Sequence, residues 1–188
     1  HSPFPSQQAF LEAVFRGFAA GAPGHHHLVV KAHPLEDGRE PLKPLVSQLA
    51  RQFDLSGRVH LITGGKLARL LDRAESAVTV NSTSAEQALW RGLPLKALGE
   101  AIYARPEFTS PQPLADFFSD PAPPDHEAYL TYRAYLLQTS QVGGGYYSRQ
   151  GRKEALRRVP DMMLAACDPY DTLAKRPASG RQQIHVVA

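Results

Sequence analysis

Two short segments hold the residue types that can do chemistry. The first is VVKAHPLEDG, residues 29–38, where a run of β-branched residues meets a histidine and then a proline. Pro34 ends the strand and fixes the turn, so His33 can project an imidazole beyond the strand's carboxyl end. There it can donate a hydrogen bond to a phosphate oxygen or serve as acid or base. The plainer possibility is a turn histidine bonded to a nearby carbonyl. Asp37-Gly38 reads as turn chemistry.

The second is VTVNSTSAEQAL, residues 78–89, in which Asn81, Ser82, Thr83 and Ser84 stand between a β-branched run and a helical stretch. A hydroxyl at a helix start caps the orphan backbone donors, and the same donors attract an anion. One hydroxyl suffices for the cap, and Glu86, three residues after Thr83, fits a capping box. Thr83 is therefore the expected cap, with Asn81 and Ser82 left to face a ligand. Cap and phosphate site both remain open on residue types alone.

Other candidates are weaker. His25, His26 and His27 are adjacent, and adjacent strand positions point to opposite faces, so they do not converge on a metal. ITGGKLARL, residues 62–70, lacks the glycine spacing of a P-loop and reads as a tight strand-to-helix turn. Gly143–Gly145 reads as a hinge. Arg149, Arg152, Lys153, Arg157 and Arg158 form a basic stretch, expected as a solvated face, with contact to anionic lipid as the sharper alternative.

These segments need a scaffold, and the rest of the chain supplies its pattern. Apolar residues recur at helical spacing from Gln7 to Ala20, and GAPG at 21–24 stops that helix. Then come strand HLVVKAHP, helix PLKPLVSQLARQFDL, strand RVHLIT, helix GKLARLLDRA, strand AVTV, helix SAEQALWR and strand LKAL. Leu28, Val29 and Val30 are continuous, as in a strand covered on both faces. Alternating strands and helices with short connections imply an α/β fold with a Rossmann-like parallel sheet and helices on both faces. His33, Thr63–Lys66, Asn81–Ser84 and Gly99–Tyr103 all fall at carboxyl ends of strands, where such sheets bind ligands.

The expected organisation is a Rossmann-like core over 1–104, a proline-rich connection and further helices over 105–167 packing on the same domain, and a flexible tail over 168–188. One short helical piece is expected around Leu114 to Phe118, in a connection draped over the surface. The 188 residues are 43% hydrophobic with a formal net charge of +3, too mild a charge to imply a nucleic-acid partner. A single cysteine, Cys167, excludes an internal disulfide framework. No apolar run approaches the ~20 residues that span a bilayer, and no signal peptide is evident. The start HSPFPSQQAFLEAVF lacks a methionine and enters a helix at once, so the chain reads as a fragment of something longer.

The chain resembles the capsule polysaccharide biosynthesis and export family of Gram-negative bacteria, most closely its KpsS-like branch. The resemblance rests on HSPF with FAAGAPG, on VVKAHPLEDG, on VTVNSTSAEQALWRGLPLKALGEAIY, and on LADFF through LLQTSQVGGGYYSRQGRKEAL, in that order over roughly residues 1–167. It implies the carboxyl-terminal half of a GT-B glycosyltransferase, binding CMP-Kdo as donor and transferring the ulosonic acid Kdo to a lipid-linked acceptor. His33 would be the catalytic contact to the CMP-sugar, Ser82 and Thr83 would meet its phosphate, Asn81 would orient the loop, and Lys31 and Glu36 would frame the site. No metal and no separate cofactor are expected. The implied location is cytoplasmic, peripheral to the inner membrane beside export machinery. SAEQAL and EDG depart from the family's usual segments. Competing readings are a non-catalytic export or interaction protein that keeps the fold, and another nucleotide-sugar enzyme such as an epimerase.

Overall fold

A computed structural model describes residues 2–32, 41–146 and 148–174. The chain divides into two compact units, residues 1–130 and 131–188. The first holds helix α1 (Gln7–Gly21), strand β1 (Leu28–Lys31), α2 (Leu42–Gln52), β2 (Val59–Ile62), α3 (Leu67–Leu71), β3 (Ala77–Thr79), a 3-10 turn (Thr83–Ala85), α4 (Glu86–Leu89), β4 (Leu95–Ala97) and α5 (Leu114–Ser119). Helix α6 (His126–Thr139) contains the point of division, and α7 (Arg149–Met163) and α8 (Pro169–Ala174) follow in the second unit.

Ser6 starts α1 by accepting the Ala9 amide at 3.1 Å, and Ala22 before Pro23 ends it. Leu11, Val14, Phe15 and Phe18, at spacings of three and four, form its buried stripe. That stripe meets α5, whose Phe118 ring stands edge-on to Phe18 with centroids 5.2 Å apart. Leu42, Val46 and Leu49 of α2 and Leu55 after it complete the cluster. Arg58 ties the entry to β1 down: its guanidinium lies 5.0 Å over the Phe18 ring and donates to the carbonyls of Pro23 and His26 at 2.6 and 2.9 Å.

The fold is of the α/β class, with parallel pairing as the alternation predicts. β1 pairs with β2 from Leu28↔Val59 to Lys31↔Ile62, and β3 with β4 from Ala77↔Leu95 to Thr79↔Ala97. Among the described residues these are two separate two-stranded sheets, not one continuous sheet. Strands of three and four residues exchange few backbone bonds. Side chains join the pairs instead, since Val30, Leu61, Val78 and Leu98 all pack against the same apolar cluster. β1 is also not covered on both faces, because Val29 is 43% exposed.

The proline-rich stretch contributes to the core rather than only crossing the surface. Phe108 and α5's Phe117 and Phe118 are buried there. Its backbone is anchored by the Ser110 amide donating to Leu95 O at 2.8 Å, and by Lys96 Nζ donating to Ser110 O at 3.0 Å. Burial of that ammonium pushes the Lys96 pKa down.

In the second unit, Ser148 caps α7 by accepting the Gly151 amide at 2.9 Å. Within the glycine run, Gly144 makes a close packing contact, since a Cβ there would lie 2.8 Å from Gly151 O, whereas one on Gly145 would meet nothing within 4 Å. Helix α7 buries no residue and contains Pro160. Of the segment expected as a tail, Pro169–Ala174 is helical, and 175–188 lie outside the described residues. Among the described residues, no helix is long and apolar enough to cross a membrane.

Gly17 and Gly21 let α5 approach α1 closely: a Cβ on Gly17 would lie 2.5 Å from Leu114 Cβ, and one on Gly21 would overlap the Ala115 carbonyl. Gly21→Ala is expected to destabilise the chain by about 1–3 kcal/mol through forced overpacking. Gly24→Ala, where a Cβ meets nothing within 4 Å, serves as the control in the same thermal melt, with a change within about 0.5 kcal/mol.

Candidate functional site

β3 delivers the polar cluster to its carboxyl end, as the pattern predicts. Beyond Thr79 the pairing continues irregularly, with Leu98 and Gly99 amides donating to Thr79 O and Val80 O at 2.9 Å each. This sets the Asn81–Ser84 loop beside the Gly99–Tyr103 turn.

Ser82 is the hub of that loop. Its amide donates to Thr79 Oγ1 at 3.2 Å, and its carbonyl accepts the Tyr103 hydroxyl at 2.6 Å. Its Oγ accepts the Ser84 amide at 3.3 Å and shares a 2.7 Å hydrogen bond with Ser84 Oγ. Ser82, not Thr83, is therefore the cap. The segment opens with a 3-10 turn ahead of α4, which moves the cap one residue earlier than a capping box to Glu86 requires. Asn81, Ser82 and Thr83 are all exposed, on a backbone that is held in place.

Tyr103 supports the candidate loop from beneath, a part that residue types alone did not give it. It is 1% exposed, and burial, reinforced by the Glu86 carboxylate, pushes its pKa up to about 12. A tyrosine six residues past the end of β4 looks like ordinary core; only pairing of β3 with β4 brings its hydroxyl onto Ser82 O. The start of α6 supports α4 in the same way, with Tyr129 Oη donating to Glu86 O at 3.2 Å and the His126 ring 3.2 Å from Trp90 O.

Lys31 closes β1 opposite Ile62, so it shares an end of the sheet with the Thr63–Lys66 turn. Its ammonium folds back onto Ala32 O at 3.1 Å. Among the described residues it makes no hydrogen bond to Asn81, Ser82 or Thr83. His33 and Glu36 lie outside the described residues. A depression of ≈ 370 Å³ at the end of β2 is lined by Gly64, Gly65, Lys66 and Arg69, and a larger one of ≈ 600 Å³ lies between α2 and β2 beside Lys43, Arg51 and His60. Neither is lined by Asn81–Thr83.

The histidine run gains a partner from the tertiary structure. His27 Nδ1 lies 2.9 Å from His60 Nε2, a neighbour 33 positions away. Among the described residues, no group of three or more histidine, cysteine or acidic side chains is placed to hold a metal.

Residues 1–147 match the family described as capsule polysaccharide biosynthesis protein. The chain belongs to that family. It is 35% identical over 150 residues to "Capsule polysaccharide modification protein LipB" of Neisseria meningitidis serogroup A, covering 79% of this chain and 36% of the relative. It is 31% identical over 147 residues to "Capsule polysaccharide export protein KpsS" of Escherichia coli, covering 78% of this chain and 38% of the relative. The chain thus spans little more than a third of the length of these relatives. No solved structure matches it. For this capsule biosynthesis family member, the match takes in both candidate segments and stops at residue 147, short of α7 and of the expected end near 167.

The raised Tyr103 pKa has a definite sign. The folded state keeps the phenolic proton above pH 10, where an unfolded tyrosine loses it, so stability is complete below about pH 10 and falls as pH rises toward about 12. Tyr103→Phe is expected to flatten that decline in a series of thermal melts across the alkaline range. It is also expected to cost about 1 kcal/mol at neutral pH, the net worth of one hydrogen bond.

Proposed function

We propose that this chain is the nucleotide-sugar-binding part of a glycosyltransferase of capsule assembly, with a Rossmann-like, GT-B-type arrangement, taking CMP-Kdo as donor and serving a lipid-linked acceptor. The observation that carries the reading is the Asn81–Thr83 loop: exposed at the carboxyl end of a parallel strand, with its backbone pinned through Ser82 by Thr79 and Tyr103. Membership of the capsule biosynthesis family supports the same reading.

In this proposal the Ser82 and Thr83 hydroxyls meet the CMP phosphate, while Asn81 orients the loop. His33 supplies the imidazole contact, and Lys31 and Glu36 frame the site. When the sugar departs, negative charge grows on that phosphate, and donors already held in position stabilise it most in the transition state. The acceptor and the groups that activate it belong to the whole protein, cytoplasmic and peripheral to the inner membrane. The name of the Escherichia coli relative favours a second reading, an export protein that keeps the fold without transfer.

Isothermal titration with CMP, with UDP as control, separates the readings. CMP-selective binding is expected, and Thr83→Ala is expected to weaken it by ~1–3 kcal/mol, the scale of a hydrogen bond to a charged group. His33→Ala should weaken it as well. Equal binding of CMP and UDP, or an affinity indifferent to both substitutions, would reject the donor site.

A further inference from the structure

Helix α7 presents an outer face that the donor-site reading does not use. Leu156, Val159 and Met163, at spacings of three and four, share one side of the helix and are 75, 39 and 80% exposed. Tyr146 just before the helix and Leu164 just after it are 79 and 83% exposed. Arg149, Arg152 and Lys153 lie seven, four and three residues before Leu156, so they continue the same side toward the amino end. Arg157 and Arg158 are also exposed. Five cations stand against only Glu154 and Asp161, an excess equal to the whole chain's formal +3. Among the described residues, none of the five is held in a salt bridge.

We propose that this face docks on an anionic phospholipid surface. The apolar side chains Leu156, Val159 and Met163 stand exposed along one side of the helix, flanked by its cations. A bilayer takes up apolar side chains at the level of the headgroups while lysine and arginine heads remain among the phosphates. Tyr146 has the apolar ring and polar tip favoured at that boundary. Basic charge alone would hold the helix within a Debye length of the surface; the apolar row supplies the insertion that charge does not. The helix lies on the membrane, not through it, since its charged residues and its length exclude a span. Helix α7 itself begins beyond residue 147, where the family match ends, and the proposal does not rest on the donor-site reading.

Co-sedimentation of the chain with phosphatidylcholine vesicles, with and without phosphatidylglycerol, tests the proposal. Binding is expected only to the phosphatidylglycerol vesicles and is expected to weaken as salt is raised. Arg149→Gln with Lys153→Gln should lower the partition coefficient at least about ten-fold. Leu156→Gln with Met163→Gln should lower it too, while both exposed pairs of substitutions leave the thermal melt unchanged. No sedimentation with anionic vesicles overturns the proposal, and so does binding that both double variants retain. Self-association that is lost in Leu156→Gln with Met163→Gln, without lipid binding, would overturn it in favour of a second copy of the chain.

Discussion

Ladders of three and four residues cannot by themselves hold β1–β2 and β3–β4 in place, so the first unit depends on the packing of α1 against α5. Gly17 and Gly21 give α5 a bare strip of helix to lie on. The close approach lets Phe15, Phe18, Phe117 and Phe118 bury almost completely. Both strand pairs then lean on one apolar cluster, and their carboxyl ends are positioned through side chains more than through backbone bonds.

The candidate loop inherits its order from that arrangement at second hand. Once β4 lies beside β3, Tyr103 is carried under the loop and its hydroxyl meets Ser82 O. The donor must give up water to be buried, and the hydrogen bond it makes offsets that loss only if Ser82 stays where it is. Order in the loop is thus coupled to burial of the ring. The same economy appears at α4, a helix of one turn that would not persist alone and that Tyr129 and His126 hold from α6.

Polar residues at the loop divide their work in a way that residue types do not reveal. Four polar side chains stand in a row, and three of them carry similar hydroxyls, yet only Ser82 and Ser84 bond to each other, and Ser82 to the backbone, although Asn81, Ser82 and Thr83 are all exposed. The separation follows from Ser82 preceding the 3-10 turn, where its hydroxyl reaches the amide two residues on. Away from the strands, α7 shows the opposite case, a helix whose side chains find no core at all.

The order of strands and helices, the parallel pairing, the stripe on α1 and the placement of Asn81–Ser84 at a strand end were all legible in the sequence, because each follows from local periodicity and from turn chemistry. Membership of the capsule family was legible too, in motifs whose order survives along the chain. Tertiary structure alone decided that the strands form two pairs, that Val29 is left exposed, that the proline-rich stretch sends Phe108 and Phe117 into the core, and that His27 finds His60. It also chose Ser82 over Thr83 as the cap and put Tyr103 beneath it. Each of these outcomes joins groups far apart in sequence or turns on a small difference between competing hydrogen bonds, and neither leaves a mark in the spacing of residue types along the chain.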